Sequence, residues 1–162
     1  MTEVAINRPT LVRENDGEAL WFLGNLVTTK VTGNQTGGRL TVVEFLNPPG
    51  FAPPLHRHRH EDEVFYLLDG AARFFCGDET IDAGPGDVVL LPHGLAHSFI
   101  VGSESPLRTL QITTPGGFED FARAAGEPAK QRELPMPGPF DPAALAHLAD
   151  LHGVDIIGPP PS

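Results

Sequence analysis

The stretch "GFAPPLHRHRHEDEVFYLLDG", Gly50 to Gly70, sets three histidines within five residues and follows them with three consecutive acidic residues. On a β-strand alternate side chains share a face, so His56 and His58 point the same way, roughly 6–7 Å apart along the chain. Two imidazoles at that spacing can converge on one cation. The acidic run then breaks the strand, and Glu63 opens the next segment with Phe65 and Leu67 on its own face, so a carboxylate can enter from the adjacent strand. The competing reading is a solvated polar loop. What weighs against it lies downstream in "GDVVLLPHGLAHSFIV" (86–101), where His97 follows the Pro92–Gly94 turn at the start of another strand. A third imidazole can there approach the same centre.

Outward from this stretch the chain is patterned as β-structure. Short apolar or alternating segments recur between Glu18 and about Leu110, among them "EALWFLG", "RLTVVEFL", "DVVLLP" and "LRTLQITT", separated by turn-forming "TGNQTGG", "NPPGFAPP", "CGD" and "AGPGD". That rhythm is expected of a sandwich or barrel. "LLDGAARFF" predicts a tight antiparallel hairpin about Asp69-Gly70. After Thr114 the texture changes: Phe118, Phe121, Ala122 and Ala125 fall at helical spacing before Gly126, which predicts a short amphipathic helix. In "DPAALAHLADLHG" Asp141 can cap a second helix, with Pro142 at its first position and Gly153 at its end. The tail "VDIIGPPPS" reads as strand-like. The whole is read as one domain over 1–162, a barrel over about 18–114 with a helical extension over about 115–162.

Composition narrows the function classes. With 162 residues the chain can bury a core without covalent staples, and its single cysteine, Cys76, forms no disulfide within a monomer. A formal charge of −10 offers no footprint for nucleic acid or an anionic membrane, both of which need clustered Lys and Arg. No apolar run approaches the ~20 residues that span a bilayer, and the start carries no apolar signal region, so the expectation is a cytoplasmic protein.

The two histidine-bearing stretches resemble the paired motifs of the cupin superfamily. The first reads Gly50, five residues, His56-x-His58, four residues, Glu63, six residues, Gly70; the second reads Gly86, five residues, Pro92-x-Gly94, two residues, His97. Val101 stands where the family has a trailing asparagine. The resemblance implies an all-β jelly-roll barrel (a double-stranded β-helix) with short C-terminal helices, and one divalent transition metal ion bound inside by His56, His58, Glu63 and His97. Three neutral imidazoles and one carboxylate around a divalent ion carry a charge of about +1 and leave coordination room for water or substrate. Iron, manganese, cobalt, nickel, copper and zinc all suit this donor set. His60 and His93, in or beside turns, are read as solvent-facing. His147 and His152 belong to the second helix, and Cys76 is read as a small buried residue without an activating partner.

Strand parity extends the site into a pocket. Glu44 and Arg73 placed outward put Val43 and Phe45 inward on one strand and Phe74 on another, while Phe65 and Leu67 follow Glu63 and Phe99 and Val101 follow His97. Such a lining is apolar and partly aromatic and lacks the cationic clamp that oxalate-type acids or sugar nucleotides need. It suits a flat enol or phenol that loses a proton to Glu63, acting as general base, and then reacts with O₂. The segment "PGGFEDFARAAGEPA" is similar to the one that follows the barrel in single-cupin quercetinase-like dioxygenases. The expectation is therefore a metal-dependent dioxygenase with a flavonol-like substrate. The alternatives are a non-redox isomerase, cyclase or lyase whose metal is only a Lewis acid, and a non-catalytic binding protein. Exposed edge strands further suggest a homodimer.

Overall fold

The computed structural model describes residues 8–162. Among them the strands are β1 (Glu18–Phe22), β2 (Asn25–Val31), β3 (Thr41–Asn47), β4 (Leu55–His58), β5 (Asp62–Asp69), β6 (Ala72–Cys76), β7 (Glu79–Ala83), β8 (Val88–Leu91), β9 (His97–Val101), β10 (Leu107–Thr114), β11 (Glu127–Pro128) and β12 (Val154–Gly158). The helices are α1 (Phe118–Ala125) and α2 (Pro142–Leu151). The strands form a seven-stranded sheet in the order β11-β1-β2-β3-β10-β5-β8 and a five-stranded sheet in the order β12-β4-β9-β6-β7. Every pairing is antiparallel. This is the jelly-roll arrangement of a mostly β protein, with two short helices laid against it.

Alternation decides which side chains meet inside. In β3 Thr41, Val43, Phe45 and Asn47 are buried and the residues between them half-buried; β10 does the same with Leu107, Thr109, Gln111 and Thr113. Two apolar cores result. Val27, Val43, Phe45, Phe118, Phe121 and Leu145 belong to the one beneath the helices; Phe65, Leu67, Phe74, Leu91, Phe99 and Val101 belong to the one at the other side of the barrel.

The expected hairpin about Asp69-Gly70 does not form. β5 is hydrogen-bonded on one flank to β10 and on the other to β8, so no edge is left for β6, which pairs with β7 and β9 in the opposite sheet. The Asp-Gly pair instead turns the chain from one sheet to the other. Gly70, at φ +80°, lies so close to the next connection that a Cβ there would stand 2.4 Å from the Pro106 carbonyl oxygen.

Both expected helices are present. Asp141 Oδ1 accepts hydrogen bonds from the backbone N–H groups of Ala143 (2.9 Å) and Ala144 (3.3 Å) and so caps α2. Helix α1 buries Phe118, Phe121 and Ala122 together with Glu119. The carboxylate accepts from Gly33 N and from Thr41 Oγ1, each at 2.6 Å, which fastens the helix to the barrel. The strand-like tail becomes β12, which extends the five-stranded sheet beyond β4, with Val154 opposite His58 and Ile156 opposite His56. The chain's last strand thus flanks the strand that carries two of the four expected ligands.

Candidate metal centre

His56 and His58 project from β4, Glu63 from the start of β5 and His97 from the start of β9, and these come from both sheets. The turns that precede Glu63 and His97 are tied together. Asp62 Oδ1 accepts from His93 N (2.9 Å) and His93 Nδ1 (2.7 Å), and Gly94 N donates to the His58 carbonyl at 2.8 Å. His93, exposed as expected, therefore holds one turn against the other. Register places His56 directly opposite His97.

The outcome is a cluster in which one donor atom from each of His56, His58, Glu63 and His97 lies within 4.8 Å of all the others. The ring centroids of His56 and His97 are 4.4 Å apart, and His58 and His97 stack at 5.5 Å. His58, Glu63 and His97 are buried and His56 is half-buried. His56 Nδ1 lies 2.7 Å from the Pro54 carbonyl. A carbonyl only accepts, so the proton sits on Nδ1 and the Nε2 lone pair is free to ligate.

Glu63 is held from three directions. Its Oε1 accepts a short hydrogen bond from Gln111 Nε2 and lies 3.1 Å from His58 Nε2, and its Oε2 lies 2.9 Å from His97 Nε2. Burial works to raise its pKa, but the charge and hydrogen bond of His58, with His97, outweigh that and hold the carboxyl well below its usual range. Burial disfavours charge on His58 too, yet Glu63 and Glu61 more than compensate and lift it to about 10. His56 goes the other way: burial, with the charges of His97 and His58, takes it down to about 4.

A metal ion fits these residues. His97 Nδ1 is buried without a hydrogen-bond partner, and its Nε2 faces Glu63 Oε2 at 2.9 Å without the alignment of a good hydrogen bond, an expensive state for a polar ring unless something at the cluster's centre takes a lone pair. Three imidazoles and a carboxylate are the donors that divalent transition ions prefer. No helix among the described residues is long and apolar enough to cross a membrane.

From the cluster a cavity opens toward solvent. Phe45, Phe65 and Phe99 line it, in the places strand parity assigned to them. Val43, Leu67, Phe74 and Val101 are buried in the two apolar cores and do not line the cavity. Phe118, Phe121 and Leu145 of the helices and Val154 and Ile156 of β12 complete the wall. His60 is exposed, and Cys76 is a free, buried thiol whose pKa burial raises. His147 is exposed on α2, and His152 follows that helix with Nδ1 2.8 Å from the Leu148 carbonyl.

Sequence reasoning missed Gln111, Asn25 and Asn47, all buried and all facing the cavity. The signal for Gln111 was present in "LRTLQITT", where Leu110 and Ile112 alternate with Thr109, Gln111 and Thr113: the polar set faces inward, an inversion that betrays a polar interior.

The cupin domain family matches residues 43–113, the span that holds all four clustered residues. Quercetin 2,3-dioxygenase of Bacillus subtilis is 27% identical over 149 residues, which is 92% of this chain and 43% of that protein. The chain spans about half the length of the curated relatives it matches. Among solved structures, KdgF from Halomonas sp. superposes with a TM-score of 0.62 at 17% identity, over 70% of this chain and 99% of that one. The polyketide cyclase RemF from Streptomyces resistomycificus superposes with a TM-score of 0.56 at 24% identity, over 66% of this chain and 80% of that one. At such identities the structural likeness is one of fold.

Proposed function

Since this chain carries a cupin domain, we propose that it is a metal-dependent dioxygenase acting on a small aromatic or enolic substrate of flavonol type. The observation that carries the reading is the wall of the cavity, which begins at the four-residue cluster, is built largely of Phe, Leu and Pro, and contains no Lys or Arg. Small dianions and phosphates are recognised through cationic clamps, and no Lys or Arg stands here to form one. A flat apolar ligand with one acidic hydroxyl matches what does. The similarity to a quercetin 2,3-dioxygenase along most of the chain supports the same reading.

His56, His58, Glu63 and His97 would hold one divalent transition ion. Bound there, the ion would supply a Lewis-acid centre for the substrate's oxygen and a path for electrons to O₂. The chain's own groups do the rest. Phe65 and Phe99, packed edge to face on each other with ring centroids 5.9 Å apart, form an apolar wall that flanks the aromatic plane and excludes water. Gln111 donates to Oε1 of Glu63 and so orients the carboxylate that takes the substrate's hydroxyl proton.

The test is oxygen uptake by metal-loaded protein with flavonols and catechols. Stoichiometric consumption of O₂ and substrate is expected. Turnover that persists without O₂ would put the ion in a purely Lewis-acid role and favour an isomerase, cyclase or lyase. The same reading takes the protein as a homodimer: Val88 and Leu90 are exposed on β8, an edge strand of the larger sheet, and light scattering would return twice the chain mass.

A further inference from the structure

The cavity has a second polar feature, away from the metal cluster. Asn25 opens β2 just after the turn at Leu23-Gly24, Asn47 closes β3, and each is 1% exposed while lining the cavity. Their hydrogen bonds fix both amide orientations. Asn25 Nδ2 donates to the carbonyl oxygens of Phe22 (3.0 Å) and Leu23 (3.3 Å); these only accept, so Oδ1 must be the atom that faces Asn47. Asn47 Nδ2 donates to it at 2.9 Å. Asn47 Oδ1 is thereby left as an acceptor with no donor set against it among the described residues.

Two further observations concern the same spot. Leu23, which also lines the cavity, is held at φ +52°, a region that residues with a branched side chain avoid. The Asn25 bonds to Phe22 and Leu23 hold that turn in place, so local strain is tied to the amide pair rather than relaxed. Register gives the separation. On β10 Gln111 lies opposite Val43 and Leu107 opposite Asn47, four residues apart, which sets Asn47 roughly 13 Å along the strands from the residue that grips Glu63. Between them stands Phe45.

We infer that Asn47 is a specificity-determining residue of this site, and that its ligand is a rigid, mostly apolar molecule with an oxygen at the metal end and a hydroxyl or N–H donor at the far end. The inference deepens, and rests on, the reading of an aromatic or enolic substrate. An apolar end pressed on Asn47 would leave a buried acceptor dry, and sites built to pair a hydroxyl reject analogues that lack it. A donor there removes that penalty and fixes which way round the molecule enters.

The test compares two probes on the Ni²⁺-loaded protein under nitrogen: unsubstituted flavonol, and its counterpart with one para-hydroxyl on the pendant ring. Both carry the same oxygens for the metal. Wild-type protein should bind the hydroxylated probe about tenfold tighter, and Asn47→Leu and Asn47→Ala should bring that ratio to one with metal content unchanged. A ratio of one in the wild type, or a ratio that survives both substitutions, overturns the inference and leaves the aromatic-substrate reading standing. Binding of neither probe overturns both. Should the variants fail to fold, the wild-type ratio still decides.

Discussion

At Glu63 two imidazoles and an amide share two carboxylate oxygens, and without metal the arrangement settles as an ion pair, Glu63 ionised and His58 protonated. A metal must displace that proton, whereas His56, taken down to about 4, is already neutral at neutral pH. Binding of one ion at neutral pH should therefore release about one proton, measurable by calorimetry in buffers of different ionisation enthalpy. The sign of the stability effect follows. A histidine raised from 6.5 to about 10 stabilises the metal-free fold fully below 6.5 and loses that contribution as pH rises through 10. Metal affinity rises over the same interval, so the gap in Tm between loaded and metal-free protein should widen with pH; a gap that narrows would contradict the ion pair. Gln111 acts on the same carboxylate. Gln111→Leu should keep the ion but lower activity or metal affinity by about 10- to 100-fold, as loss of partners to metal ligands commonly does.

Among the elements, α1 depends on a buried charge. Glu119→Ala leaves Gly33 N and Thr41 Oγ1 without their acceptor and should cost roughly 2–4 kcal/mol, read as a lower Tm and denaturation midpoint. The corner at Gly70 is equally specific: Gly70→Ala meets the Pro106 carbonyl and an unfavourable φ, and should destabilise the fold by at least ~1 kcal/mol. These elements also show where the sequence was legible. Alternation marked the strands and the inward faces of β3, β5, β6 and β9; Asp141 and Pro142 marked the start of α2. Asp69-Gly70 misled because a tight turn states only that the chain reverses, while the sheet that receives the next strand is decided by which edges β10 and β8 already occupy. The four-residue cluster was legible because its spacing recurs as a pattern. Gln111, Asn25 and Asn47 have no such spacing, and their place depends on cross-strand register that no local signal carries.

Over the whole molecule, residues of both apolar cores and a few buried polar side chains line one cavity, with helices and β12 closing its side. The last strand is part of the site's support, since β12 is the neighbour of β4 on the side away from β9. A chain ended before Val154 should bind metal more weakly even where it folds, because β4 would keep only its short pairing to β9. The most direct test of the account is the metal-to-protein ratio, by elemental mass spectrometry, of wild-type protein and His58→Ala purified side by side after exposure to divalent transition ions. One ion per wild-type chain and almost none in the variant is the expected result. Full occupancy in His58→Ala, or none in the wild type, would contradict a single metal centre built from His56, His58, Glu63 and His97.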